Sequence, residues 1–96
     1  MYWLIVYDIT KDTLRGKVSE RLKDYGLERI QYSSFIGELA GHALASLKVD
    51  VRRLLNDGDE TDSIIIFPLC SSCFKGRTLI GEKREMESNG EKVTVF

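Results

Sequence analysis

The stretch YWLIVYDI, residues 2–9, decides the fold. Its seven aromatic, β-branched and aliphatic residues favour a buried β-strand, and a single carboxylate, Asp8, interrupts them near the end. An ionised Asp inside a core is unfavourable unless it is paired, hydrated or bound to a metal. We therefore predict a strand over about residues 2–9 that carries Asp8 to the rim of a sheet.

Composition predicts one soluble globular domain that spans residues 1–96. The chain is 43% hydrophobic and 30% charged, and its net charge of -1 argues against a generally basic nucleic-acid binder while leaving room for a local basic patch. No apolar stretch is long enough for a membrane span, and the N-terminus lacks the features of a signal peptide, so we expect no membrane association and a cytoplasmic location. A domain this small buries only about 60–70% of its unfolded surface, which makes dimerisation a natural supplement.

Periodicity along the rest of the chain predicts an α+β fold. Three- and four-residue spacings predict helices at about residues 13–25, capped by Asp12 and ended by Gly26, and at about residues 40–55. Alternation predicts strands at 27–39 (bent or divided in two), within IIIFPL at 64–69, at 78–81 and at 91–96, with a loop at 71–77. Pro68 should end its strand or lie on a sheet edge. The order fits a ferredoxin-like βαββαβ sandwich with an extra C-terminal strand.

Asp8 is the first candidate for chemistry. It either caps the following turn or emerges at the rim as a ligand, and one carboxylate is a poor site for Mg²⁺, which takes several oxygen ligands. A twofold axis would bring the Asp8 residues of two chains together, and a cation between them would offset their repulsion and polarise a phosphoryl oxygen. A metal role for Asp8 therefore predicts a homodimer.

Basic side chains could hold a phosphate near this carboxylate. In RIQYSSF, residues 29–35, Arg29 can bind a phosphate through two hydrogen bonds and Ser33 can donate another, while Phe35 either stacks or packs. The alternative is an ordinary strand with one polar face. The first predicted helix adds a basic surface, which is either a nucleic-acid contact or a solvated face: Arg15, Lys17, Arg21 and Lys23.

The remaining motifs give weaker indications of a function. Cys70 and Cys73 form one C-x-x-C, which supplies half of a structural zinc site and is otherwise explained by two small residues at a turn. The acidic loop around residues 57–62 lacks the calcium-binding EF-hand pattern. The chain has no Ser/His/Asp set, P-loop or G-x-G-x-x-G, and its only histidine is His42.

Three segments together resemble the CRISPR-associated protein 2 family over about residues 2–81: YWLIVYDIT, LRGKVSERLKDYGLERIQYSSFIGEL and DSIIIFPLC. The resemblance implies a ferredoxin-like core at about 1–81, a variable segment at 82–96 and a tight homodimer. It implies a divalent cation, usually Mg²⁺, held by Asp8 of both copies. It also implies an endonuclease for single-stranded RNA or double-stranded DNA, and the central dimer of the spacer-integration complex, flanked by the CRISPR-associated protein 1 integrase.

Residue by residue, the resemblance matches the YD pair at Tyr7 and Asp8, the basic residue at Arg15, and the segment with Arg29, Ser33 and Phe35. Lys17 stands where some relatives have Arg. The predicted catalytic set is accordingly Asp8, Tyr7, Arg15, Arg29, Ser33 and Phe35, with Asp8 the metal ligand. The predicted nucleic-acid contacts are Arg15, Lys17, Arg21 and Arg29.

Two functions follow from this reading. The first is a metal-dependent endonuclease that acts in CRISPR adaptation and antiviral defence. The second is a non-catalytic scaffold that binds duplex DNA and docks the integrase, since a fold does not fix an activity. A related ribonuclease toxin with the same fold is a further alternative.

Overall fold

A four-stranded antiparallel sheet lies at the centre of the structure, a computed structural model that describes residues 1–81. The sheet order is β2-β3-β1-β4, which confirms the expected ferredoxin-like βαββαβ arrangement. The strand expected at 91–96 lies outside the described residues. In chain order the elements are β1 (Tyr2–Asp8), α1 (Asp12–Asp24), β2 (Glu28–Gln31), β3 (Ser34–Glu38), α2 (Gly41–Leu55), β4 (Ser63–Leu69) and α3 (Ser71–Lys75).

Helices α1 and α2 pack on one face of the sheet and form the core there. The alternating side chains of each strand send every second residue to this helix-covered face. Ile5 of β1 and Phe35 of β3 pair across the ladder and belong to one apolar cluster with side chains of both helices. Five members of this cluster have essentially no exposed surface: Ile5, Val18, Leu22, Phe35 and Leu47.

The opposite side of the sheet, which we call the open face, is also apolar. Its rows follow from the ladder register: Leu4 lies between Ile36 and Phe67, Val6 lies between Ser34 and Ile65, and Asp8 lies beside Ser63. At one end of this face, the Phe74 ring of α3 stacks on Tyr2 with 3.9 Å between ring centroids. The open face therefore carries apolar side chains along most of its length and Asp8 at its end.

Several sequence predictions about these elements are confirmed. The stretch 27–39 divides into β2 and β3, with a register shift between Arg29 and Gln31. Gly26 follows α1 with a φ of 85°, a conformation that residues with side chains rarely adopt. Within residues 1–81, Pro68 lies in an edge strand, β4, and its missing N–H breaks no ladder to a second strand of this part of the chain.

Other predictions about the first elements are wrong by a residue or two. Strand β1 ends at Asp8, because the next residue, Ile9, turns into the core beneath the helices. Asp12 is the first residue of α1 and not its cap: Lys11 occupies the cap position without a side-chain hydrogen bond. The Asp12 carboxylate pairs instead with Arg15, one turn along the helix.

The region after β4 differs more from expectation. The predicted loop at 71–77 contains the short helix α3, whose first turn is closed by a hydrogen bond from the Cys73 N–H to the Cys70 sulfur. The predicted strand at 78–81 is absent, since these described residues pair with no strand of the sheet. None of the helices within residues 1–81 has the length and apolar content to cross a bilayer.

Candidate functional site

Asp8 stands at the end of β1 with its carboxylate exposed to solvent. Its neighbour across the ladder is Ser63, the first residue of β4, on the same open face. Because the strand ends at Asp8, the charge stays hydrated at the rim of the sheet and is not buried in the core. Carboxylate and hydroxyl oxygens lie side by side at this position.

The loop after Asp8 is fastened to the loop before β4. Asp62 Oδ1 accepts hydrogen bonds from the Thr10 N–H at 3.0 Å and from the Thr10 hydroxyl at 3.1 Å. Lys11 Nζ donates to the main-chain oxygen of Asp57 at 2.8 Å. These contacts hold both chain segments at the rim, so the position of Asp8 is fixed from its C-terminal side as well as by the sheet.

Tyr7 faces the other side of the sheet from Asp8, because successive strand residues alternate. On that helix-covered face Tyr7 lines an open cavity of about 300 Å³ between β1, β2 and α1. The cavity is lined by Tyr7, Asp12, Arg15, Gly16, Ser19, Arg29 and Tyr32. The sheet thus separates the carboxylate expected to hold a metal from the guanidinium groups expected to hold a phosphate.

Arg15 has several partners within the chain. Its Nη1 donates to the main-chain oxygen of Ile9 at 3.1 Å, and its Nη2 pairs with the Asp12 carboxylate. Its guanidinium carbon lies 5.8 Å from the centroid of the Tyr32 ring. Arg15 therefore stabilises the turn that follows Asp8, and its guanidinium borders the cavity at the same time.

Arg29 crosses from β2 to α1 over the core. Its Nη2 donates to the Ser19 hydroxyl at 2.8 Å, and its guanidinium carbon lies 5.2 Å from the centroid of the Phe35 ring. Arg29 and Phe35 pair across the β2–β3 ladder, so their side chains lie on the same face of the sheet. The planar guanidinium is thus held between a hydroxyl and an aromatic face.

Phe35 has no exposed surface, and its ring packs near Tyr7 with 6.3 Å between centroids. Any effect of Phe35 on a reaction would act through Arg29, which lies over its ring. Burial raises the pKa of Tyr7, and the nearby Arg29 only partly opposes this, so the phenol stays protonated at neutral pH. Ser33 lies in the turn between β2 and β3, where its main-chain oxygen accepts a hydrogen bond from the Tyr7 N–H at 3.0 Å.

The remaining predicted contacts lie on α1. Lys17 is exposed. Arg21 pairs through Nη1 with Asp50 of α2 at 3.2 Å, and Asp50 also accepts the Tyr25 hydroxyl at 2.6 Å. Arg21 therefore links the two helices, whereas Lys17 presents its charge to solvent.

Sequence reasoning missed four residues of this region: Ser19, Tyr32, Asp62 and Ser63. Ser19 is the buried polar residue of α1, and its position inside an apolar stripe is a signal that could have been found. Tyr32 lies in the turn between β2 and β3, and the β1–β4 register places Ser63 beside Asp8. Asp62 bonds to a residue 52 positions away, which no local pattern reveals.

The side chains at this rim can be compared with the ligands that a divalent cation needs. Among residues 1–81 of a single chain, no three His, Cys, Asp or Glu side chains are grouped to hold an ion. The hard oxygens of Asp8 and Ser63 suit Mg²⁺, but one copy offers fewer ligands than that ion takes. The donor chemistry fits a shared ion between two copies.

The sequence and the structure are similar to known proteins. A family model described as CRISPR associated protein Cas2 matches residues 1–77. The CRISPR-associated endoribonuclease Cas2 of Korarchaeum cryptofilum is 45% identical over 78 residues, which cover 81% of this chain and 82% of that protein. A solved structure described as cas2 superposes with a TM-score of 0.65 at 28% identity and covers 97% of each chain.

One further relative is a longer protein, the CRISPR-associated endonuclease Cas1/endonuclease Cas2 fusion of Thermoproteus tenax. It is 51% identical over 39 residues, which cover 41% of this chain and 15% of the fusion. In that protein the two units are parts of one polypeptide.

Proposed function

The chain belongs to the CRISPR-associated protein Cas2 family, and from this premise we propose that it is an endonuclease that hydrolyses phosphodiester bonds of single-stranded RNA. The relative at 45% identity is named an endoribonuclease, which supports RNA ahead of duplex DNA as the substrate. The biological setting of the proposal is CRISPR adaptation and antiviral defence. The observation that carries it is the exposed Asp8 carboxylate at the end of an apolar, open sheet face.

The proposal requires a homodimer in which the open faces of two copies meet. Ile65 and Phe67 keep 50% and 44% of their surface exposed in the single chain, and both lie on the open face. Burying such side chains against a second copy is favourable by about 25 cal/mol per Å² of apolar surface. A twofold axis that passes close to the rim repeats every contact and would bring the rim of one copy against the same rim of the other.

Asp8 from each copy would then face a shared cleft, and the two carboxylates would hold one Mg²⁺ ion. Bound Mg²⁺ supplies positive charge that polarises a phosphoryl oxygen and lowers the pKa of a bound water. The Ser63 hydroxyl beside Asp8 can orient a carboxylate oxygen or a water by a hydrogen bond. The two hydrogen bonds from Thr10 to Asp62 keep the turn after Asp8 in place.

The basic residues serve binding and not bond cleavage in this proposal. Arg15 and Arg29 line the cavity on the helix-covered face, the opposite side of the sheet from the Asp8 side chain, so in this proposal they bind phosphates other than the one at Asp8. We propose that Arg15, Arg29 and Lys17 contact phosphates of the RNA where the RNA passes around the rim of the sheet. Such contacts position a nucleic acid without selecting its sequence.

The experiment compares wild-type protein with Asp8→Asn on an end-labelled single-stranded RNA, with Mg²⁺ and with a chelator. We expect cleavage to fall at least about 100-fold in the variant and to vanish with chelator, because a direct metal ligand should matter at least as much as an outer-shell partner, whose loss costs about 10–100-fold. Asp57→Asn, which removes an exposed carboxylate of the acidic loop, is the matched control and should cleave normally. Cleavage that survives in highly purified, dimeric Asp8→Asn would contradict the proposal.

A second candidate function is a scaffold that binds duplex DNA and docks the Cas1 integrase at the centre of the spacer-integration complex. The Cas1/Cas2 fusion in Thermoproteus tenax favours it, since fused units commonly act together. Here the Asp8→Asn dimer should still bind duplex DNA and Cas1 and should still support integration. Loss of integration in that variant, with the assembly intact, would reject the purely structural role.

A further inference from the structure

Two thiols face solvent at the junction of β4 and α3, outside the site described above. Cys70 and Cys73 are both exposed and both free. The Cys73 N–H donates to the Cys70 sulfur at 3.4 Å, and the Ser72 hydroxyl lies 3.2 Å from the same sulfur. The backbone therefore already folds Cys73 back onto Cys70, which is the approach that a disulfide between them needs.

The two sulfurs are chemically different. Hydrogen bonds from Ser72 and from the Cys73 N–H lower the pKa of the Cys70 thiol to about 7. The neighbouring Cys70 sulfur raises the pKa of the Cys73 thiol above its usual value. At neutral pH the pair therefore consists of a partly ionised Cys70, which can attack, and a protonated Cys73 beside it.

We propose that Cys70 and Cys73 form a redox-active dithiol that reduces a low-molecular-weight disulfide and closes into an intramolecular disulfide. The Cys70 thiolate attacks one sulfur of the small disulfide, forms a mixed disulfide and releases one thiolate. The Cys73 thiol then gives its proton to the released thiolate and attacks the Cys70 sulfur, which expels the second small group as a thiolate that takes up from water the proton Cys70 had lost. Two protein thiols are oxidised to one disulfide, and one small disulfide is reduced to two thiols.

Oxidation of this pair would affect the structure of the segment in which it lies. The same short segment carries Phe74, which stacks on Tyr2 at the end of the open face, and Arg77, whose guanidinium carbon lies 3.7 Å from the centroid of the Phe74 ring. A disulfide across residues 70 and 73 would fix the first turn of α3. The dithiol site is independent of the proposed cleavage of RNA, because it lies far along β4 from Ser63 and Asp8.

The experiment treats the reduced full chain with oxidised glutathione in the presence of a chelator, and then determines the mass and the free thiols. Under denaturing conditions we expect a single chain, not cross-linked to another, that has lost the mass of two hydrogen atoms and both free thiols. Cys73→Ser should stop at a glutathione adduct on Cys70. A wild-type product that is a stable adduct, or one cross-linked between chains, would overturn the proposal.

The rates separate this pair from two ordinary surface thiols. At pH 7, Cys70 in Cys73→Ser should be alkylated by iodoacetamide about fivefold faster than Cys73 in Cys70→Ser, after allowance for the lower nucleophilicity of a more acidic thiol. Ser72→Ala should slow oxidation of the wild-type pair, whereas Ser71→Ala should leave it unchanged. Equal alkylation rates for the two cysteines, or purification with a metal ion that the chelator cannot remove from them, would reject the dithiol.

Discussion

Asp62 and Thr10 join the two chain segments that border Asp8. One carboxylate oxygen accepts both the N–H and the hydroxyl of Thr10, at 3.0 and 3.1 Å, and the other accepts the Asp59 N–H at 3.0 Å. Burial favours the protonated form of Asp62, but these hydrogen bonds together outweigh it and lower the pKa of Asp62. Asp62 is thus a positioning residue for the turn that carries Asp8.

Replacing Asp62 should therefore impair both the rim and the stability of the fold. We expect Asp62→Ala to lower RNA cleavage about tenfold, because the Asp8 turn loses its anchor. Asp62→Asn keeps one oxygen for Thr10 and should restore most of the rate. Asp59→Ala, a change at the neighbouring exposed carboxylate, is the control. If Asp62→Ala cleaves RNA as fast as the control, the hydrogen bonds between Thr10 and Asp62 have no role in cleavage.

The contact between Tyr25 and Asp50 predicts a window of pH in which the helices are held together. The Tyr25 hydroxyl, and next Arg21, lower the pKa of Asp50, and the same hydrogen bond raises the pKa of Tyr25. A lowered carboxyl pKa contributes stability above the unfolded value of about 4, which is lost as the pH falls through the folded value. A raised phenol pKa contributes stability below its unfolded value of about 10, which is lost as the pH rises through the folded value.

Urea unfolding of wild type and Tyr25→Phe over a pH series measures this window. The difference in free energy of unfolding should be largest near neutral pH and should shrink towards both ends. Tyr2→Phe, which keeps its ring on Phe74, serves as a control with the same chemical change. A difference that is constant from pH 3 to pH 11 would mean that the hydrogen bond is not the cause.

The open face predicts a specific effect of charge on association. Ile65 of β4 and Val49 of α2 are each 50% exposed in the single chain, but only Ile65 lies on the open face. We expect Ile65→Glu to raise the dimer dissociation constant at least about tenfold, by burying an unpaired charge at the interface. Val49→Glu should leave it unchanged. Sedimentation at a series of concentrations gives the dimer dissociation constants of the two variants. Equal values would mean that the dimer interface does not lie on the open face.

Much of the fold could be predicted because its signals are local. The continuous run of strand-forming residues at 2–8 and the three- and four-residue spacing in residues 13–25 are properties of short windows, and they predicted the right elements to within two residues. The helix α3 was missed because its first turn depends on a sulfur as hydrogen-bond acceptor, where a Ser or Asp would have been noticed.

The candidate site was harder to predict because it depends on which face each residue occupies. Asp8 and Tyr7 are neighbours in sequence, and a matched YD pair suggests one site, yet alternation places them on opposite sides of the sheet. Ser63 becomes a neighbour of Asp8 only through the β1–β4 register. The sequence shows which residues of a strand share a face. Which of the two faces is covered depends on where the helices pack.

The separation of Asp8 from the basic residues leads to the last prediction, which concerns salt. If Lys17 contacts a phosphate outside the cleavage site, Lys17→Ala should weaken RNA binding at every sequence alike and reduce the salt slope of log K by about 1. The rate of cleavage at saturating RNA should stay unchanged, because that step belongs to the rim on the other face. Lys48→Ala, at a lysine of α2 that is also exposed, is the control. A fall in the saturated rate with an unchanged salt slope would instead place Lys17 at the cleavage step, and the division of labour between the two faces would be wrong.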